Sequence, residues 1–203
     1  MRYLALGDSF TIGTGTTPDR SFPAVLVNRW WDAGVECDLR NPAVNGFTTD
    51  DLIREELPLV EAYAPDLVTV LVGANDIVAA RRDEGTVDAR AEGRYRRQMR
   101  RIHERVRAGA PNARRIGLPQ PDWSLTAAGA SFGEPAAIAR AIERFNGIAR
   151  EEAEIARASY VDIFPLMREQ MRLRMTAADG LHPSAEAYAE WADALKEKLL
   201  SGR

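Results

Sequence analysis

The run Leu67-Val-Thr-Val-Leu-Val72 constrains the fold more than any other stretch of this chain: six apolar or β-branched residues closed by Gly73. Six residues are too few for a buried helix. The absence of polar alternation marks a strand covered on both faces, the usual situation in a parallel sheet. Shorter runs of the same kind stand at Tyr3–Leu6, ended by Gly7, at Arg115–Leu118, and at Ser159–Ile163; Val35–Leu39 alternates weakly. Between them lie segments of helical spacing at Ser21–Ala33, Val87–Ala108, Glu134–Ala156 and Ser184–Leu200, and one at Thr49–Tyr63 that Pro58 should kink. Strands that alternate with helices join through right-handed crossovers, giving an α/β chain whose parallel sheet carries helices on both faces. Neither an internal repeat nor a low-complexity linker interrupts the order, so residues 1–203 are expected to form one domain.

Composition narrows the function. A single cysteine, Cys37, rules out an internal disulfide framework, and two histidines, His103 and His182, argue against a histidine-rich metal site. The amino terminus, MRYLALGDSF, lacks the basic and long apolar regions of a signal peptide, and no run approaches the 18 or more apolar residues of a membrane span. A cytosolic, cytoplasmic protein without membrane insertion is expected. Of 27 basic residues, all but Lys196 and Lys198 are arginine. Twelve arginines against five acids between Arg81 and Arg115 make that segment +7, which leaves −10 for the rest of a chain at −3.

In sheets of this kind the working residues lie in loops beyond the carboxyl ends of the strands. The loop after Leu6 reads Gly7-Asp8-Ser9-Phe10, where Ser9 is either a helix cap or a hydroxyl aimed over the sheet edge. After Leu39 comes Asn41-Pro-Ala-Val-Asn45-Gly46-Phe-Thr48, where Gly46 marks a turn or a backbone N–H brought close to a ligand. Gly73-Ala74-Asn75-Asp76 follows the central strand, and Asn75 either caps the next helix or donates an amide to a developing oxyanion. Asp179-Gly-Leu-His182-Pro183 precedes the last helix; His182 is the leading general base, and Asp179 three residues earlier is placed to orient it. His103 sits among arginines in a polar helix and is expected on the surface. Jointly the four loops hold a nucleophile, oxyanion donors, a base and an acid, the requirements of acyl transfer.

With these blocks in this order, the sequence resembles the SGNH hydrolase superfamily, also called the GDSL esterase/lipase family. The resemblance runs from Gly7 to Pro183, through Gly7-Asp8-Ser9, Asn41 with Gly46, Gly73-x-Asn75-Asp76 and Asp179-x-x-His182-Pro183; Phe10 stands where the family name has leucine. It implies a flavodoxin-like three-layer α/β/α sandwich of about five parallel strands. It also implies Ser9 as nucleophile, His182 as base, Asp179 as its acid, and an oxyanion hole from the Ser9 and Gly46 N–H groups and the Asn75 side chain. An acyl-enzyme on Ser9 needs no metal and no organic cofactor.

For the substrate, the loop Gln120–Gly133 carries Trp123, Leu125 and Phe132, either as a pocket wall or as anchors to the core. The expected partner is a small-molecule carboxylic ester with a small acyl group; lysophospholipase, thioesterase and carbohydrate acetylesterase activities are the alternatives within the family. Arg81 and Arg82, just downstream of Asn75, are expected near the mouth of the site, where they would favour anionic esters. From another class, a nucleic-acid-binding protein would use the Arg81–Arg115 run, whose Arg90, Arg94, Arg97, Arg101 and Arg105 share one helical stripe. Glu92 and Glu104 interrupt that run, no aromatic platform accompanies it, and the acidic remainder repels a polyanion, so no nucleic-acid partner is expected.

Overall fold

The computed structural model describes residues 1–81 and 88–200. Strands β1 (Arg2–Gly7), β2 (Asp38–Arg40), β3 (Leu67–Leu71), β4 (Arg114–Gly117) and β5 (Ser159–Tyr160) form one parallel sheet in the order β2-β1-β3-β4-β5. Around it run α1 (Ser9–Ile12), α2 (Phe22–Trp31), α3 (Thr49–Asp51), α4 (Pro58–Tyr63), α5 (Ala74–Ala79), α6 (Ala89–Gly109), α7 (Pro135–Ile155), α8 (Phe164–Arg172) and α9 (Ala185–Leu200).

The order of strands explains where the loops go. From β1 the chain moves outward to β2, then returns past β1 to β3 and continues to β4 and β5. Right-handed crossovers in opposite directions place their helices on opposite faces. Accordingly α2 packs against α9 in one layer, while α6 packs against α7, and α3 and α4 against α6, in the other. The direction reverses between β1 and β3, so the loops leaving these two strands diverge and open a crevice at their carboxyl ends. Those are the loops of Ser9 and Asn75.

Burial holds the central strands. Leu4, Leu6, Val68, Val70 and Leu71 are all buried, each contributing about 2 kcal/mol from apolar surface withdrawn from water. Tyr3 and Thr69 share a 2.9 Å hydroxyl hydrogen bond across β1 and β3. At the end of β1, a Cβ on Gly7 would stand 2.2 Å from both Leu71 O and Thr11 Oγ1, so only glycine lets the chain turn there.

Several elements depart from the sequence expectation. β2 begins at Asp38 rather than Val35, because the Val35 N–H folds back onto Trp30 O at the end of α2. β5 stops after Tyr160, where Asp162 accepts the Phe164 N–H and turns the chain into α8, a helix the apolar pattern left unmarked. The expected Thr49–Tyr63 helix is divided into α3, a π-helical turn over Leu52–Glu56, and α4, which starts at Pro58, the residue without an N–H to continue the ladder.

The arginine-rich helix α6 is not uniformly solvated. Tyr95, Met99, Ile102 and Val106 form its buried stripe, and His103 lies in that stripe at 1 % exposure, not on the surface. Arg100 grips buried Glu152 of α7 through Nε (2.9 Å) and Nη2 (3.0 Å), and Arg96 reaches Glu151 and Glu152 at 2.6 and 3.1 Å. Burial alone would raise the Glu152 pKa, but the two guanidinium groups pull it below the ordinary glutamate value. The run Arg81–Arg115 is therefore partly cross-linking between helices, with Arg90, Arg94, Arg97, Arg101 and Arg105 left exposed.

Candidate active site

Ser9 opens α1 directly after β1. Asp8 caps that helix by accepting the Phe10 N–H at 3.1 Å, while the Thr11 and Ile12 N–H groups donate to Asp8 O. The N–H of Ser9 is the remaining donor of this first turn.

The loop after β2 is positioned by three ties. Asn41 Nδ2 donates to Thr11 O at 2.9 Å, joining the loop to α1. Gly46 takes φ +90°, a left-handed conformation that costs an L side chain about 1–2 kcal/mol, although the space beside it is open. Thr48 and Asp51 close a capping box on α3. The loop after β3 is then clamped to this one twice: Asn75 Nδ2 donates to Phe47 O at 2.9 Å, and Asp76 accepts both the N–H of Thr49 (2.9 Å) and its hydroxyl. An amide nitrogen carries two hydrogens, so Asn75 keeps one to offer beside Gly46.

On the last loop, His182 Nδ1 stands 2.7 Å from Asp179 Oδ2, and Asp179 Oδ1 accepts the N–H groups of Leu181 and His182. Burial works against the ionised Asp179, but these hydrogen bonds outweigh it and hold the carboxyl below the usual range. The 182 ring packs on Phe10, the neighbour of Ser9, with centroids 5.4 Å apart. Among the described residues no hydrogen bond joins Ser9 Oγ to His182; contacts of this kind commonly tighten only around substrate. The loop after β2 is thus tied both to α1, through Asn41, and to Asn75, while His182 with Asp179 reaches the β1 loop through Phe10. No group of three or more His, Cys, Asp or Glu among the described residues is placed to hold a metal ion.

This arrangement presents a serine hydroxyl, an acid-oriented imidazole and amide donors at the carboxyl edge of a parallel sheet. A family profile, the GDSL-like Lipase/Acylhydrolase family, matches residues 5–190.

The chain belongs to that family.

An arylesterase of Vibrio mimicus is 31 % identical over 75 residues, which span 37 % of this chain and 38 % of that protein. The fold is shared with the solved structure of TesA (TM-score 0.73, 20 % identity, 98 % of both chains). It is shared equally with the psychrotrophic esterase EstA from Pseudoalteromonas sp. (TM-score 0.74, 18 % identity, 98 % of this chain and 97 % of that one).

The three expected pocket residues meet, and Trp123 takes the second of its two expected roles. Arg81 lies over the Phe132 ring (5.8 Å), and Phe132 packs edge-on against Trp123 (5.6 Å). Trp123 itself is buried and its Nε1 donates to Gln120 Oε1, so it anchors the loop and is not a wall. Arg82 lies outside the described residues. The loop also reaches the acid–base loop, through Ala128 N–H on Gly180 O at 3.1 Å.

Sequence reasoning missed Glu56. It closes the π-helical turn, is buried, and accepts the Gly7 N–H at 2.9 Å. Its place four residues from both Leu52 and Val60, each buried, is the one sign that it faces inward. Asp76, quoted only as part of a motif, is the clamp between the two amide-bearing loops.

No helix among the described residues is long and apolar enough to cross a membrane.

Proposed function

We propose that this chain is a serine esterase acting on carboxylic esters of small acyl groups through an acyl-enzyme on Ser9. The observation that carries the reading is the Asp179–His182 contact: with Nδ1 held by the carboxylate, Nε2 is the ring nitrogen left to act as a base, and the ring packs on Phe10, the neighbour of Ser9.

His182 takes the Ser9 proton as Oγ attacks the ester carbonyl. The resulting oxyanion is met by the N–H groups of Ser9 and Gly46 and by Asn75 Nδ2. The tetrahedral intermediate expels the alcohol, which receives the proton from His182. Water, deprotonated by the same ring, then attacks the acyl-serine and releases the acid. Asp179 stays ionised and stabilises the imidazolium in both halves.

A small acyl group suits the surroundings. Among the described residues the exposed large apolar side chains on the loops bordering the site are Val44 and Leu125, which suit a short chain or an aryl group. Hydrolysis of p-nitrophenyl esters from acetyl to palmitoyl tests this: kcat/KM should be highest at acetyl to butyryl and fall with longer chains. A maximum at palmitoyl would refute the small-acyl reading.

A further inference from the structure

Arg81, Arg90, Arg94 and Arg97 line one open recess of about 460 Å³ between the end of α5 and the first turns of α6. Their situation differs from that of Arg96 and Arg100 on the same helix, whose charges are met by Glu151 and Glu152. Among the described residues none of the four makes an ion pair within 4.0 Å; Arg94 acts on buried Asp76 only at a distance, opposing the rise that burial imposes. Asp88, the acid that borders the recess, caps α6 by accepting the Arg90 N–H. Several guanidinium groups around one space raise the local positive potential, and their planar forks suit anionic oxygens.

The recess is linked to both halves of the candidate active site. Asn75 lies in the first turn of α5, and Arg81 follows its last turn, about 9 Å further along at 1.5 Å per residue. Arg81 also covers Phe132, whose loop is hydrogen-bonded to the Asp179–His182 loop at Gly180. An ester whose carbonyl sits at Ser9 and Asn75 can therefore extend its leaving group along α5 toward four arginines.

We propose that this recess is the subsite for an anionic group, of which phosphate is the best match, carried on the alcohol part of the ester. The inference rests on the esterase reading above and supplies its substrate class. The test compares monobutyryl glycerol with monobutyryl glycerol phosphate as substrates for the wild type, for R90Q/R94Q, and for R101Q, which removes an exposed charge from the same helix away from the recess. Binding of inorganic phosphate is measured in parallel by calorimetry.

In the wild type at low salt the phosphorylated ester should exceed its neutral partner in kcat/KM by about tenfold. That ratio should collapse toward one in R90Q/R94Q and at high salt, and persist in R101Q. A wild-type ratio of one or less overturns the proposal, as does phosphate binding that R90Q/R94Q leaves intact. Phosphate binding by the wild type without preference for the phosphorylated ester also overturns it, since the recess then serves a free anion. Phosphate binding that R90Q/R94Q abolishes, with neither ester hydrolysed, supports the anion site and faults the esterase reading instead.

Discussion

Glu56 Oε2 accepts the Gly7 N–H at 2.9 Å, so a fully buried carboxyl stands against the backbone of the Gly7-Asp8-Ser9 turn. Burial pushes Glu56 up to about 8, against the pull of that hydrogen bond and with help from neighbouring Asp8. Burial likewise pushes Asp8 up to about 7, with the Phe10 N–H opposing and Asp76 adding to the rise. The buried Tyr95 and Tyr188 hydroxyls also feel the Asp8 charge, which adds to the rise that burial gives them.

Ionising Glu56 would set a negative charge at the Gly7 N–H, two residues before Ser9, whose N–H is proposed to meet the oxyanion. The rate should therefore fall as pH rises toward and above 8, and Glu56→Gln, which can still accept from Gly7, should shrink that alkaline limb to the part Asp8 contributes. A stability effect accompanies it. The folded pKa lies above the ordinary value of 4.5, so the contribution is present at low pH and lost as pH rises toward 8. Melting curves from pH 4 to 9 should show this decline in the wild type and a flatter course in the variant. An unchanged alkaline limb in Glu56→Gln would remove Glu56 from the account.

His103 predicts the opposite trend. Burial, helped by Arg115 and opposed by Glu152, lowers its pKa from 6.5 to about 4. The unfolded chain then binds a proton that the folded one refuses, so stability falls as pH drops from 6.5 to 4. The loss is at most ~3 kcal/mol across that window. His103→Leu, which leaves no buried Nε2 without a partner, should flatten the acid side of the stability profile measured by urea unfolding.

These two groups also show what the sequence made legible. The strand pattern led to the sheet, and the four loop blocks to the loops that carry Ser9, Asn75 and the paired Asp179 and His182, the residues of the proposed site. Chemistry at strand ends leaves local marks: glycines, Asx turns and a histidine before a helix. Glu56 and His103 carry no such marks, because their burial is decided by what packs on them from elsewhere. For His103 a sign existed: it falls in the same stripe as Tyr95, Met99, Ile102 and Val106, and the surrounding arginines hid it. Trp123 followed the same rule in reverse. An aromatic residue in a loop over the site suits a wall and an anchor equally well, and its partner Gln120 decides for the anchor.

Asn75→Ala should lower kcat by about a hundredfold or more, close to 3 kcal/mol in the barrier, with KM little changed. In the proposed mechanism the amide acts on charge that develops only in the transition state. Because Asn75 also ties Phe47 O, part of the loss could be positional, and Asp76→Asn measures that part: it weakens the clamp through Thr49 while leaving the amide in place. Steady-state kinetics on phenyl acetate separates them, with the larger loss expected for Asn75→Ala.

Asp179→Asn should keep the loop folded but present a neutral partner to Nδ1, favouring the wrong tautomer of His182. A fall in kcat of roughly a thousandfold or more is expected, with partial recovery at high pH. A loss below tenfold would mean that another group orients the imidazole.

The central claim is that turnover passes through Ser9. Purified Ser9→Ala, shown to be folded by its circular dichroism and melting temperature, should hydrolyse phenyl acetate at least about a thousandfold more slowly than the wild type. The wild type, quenched during turnover, should carry an acetyl group on the Ser9 peptide by mass spectrometry. Turnover by Ser9→Ala at the wild-type rate would contradict the account.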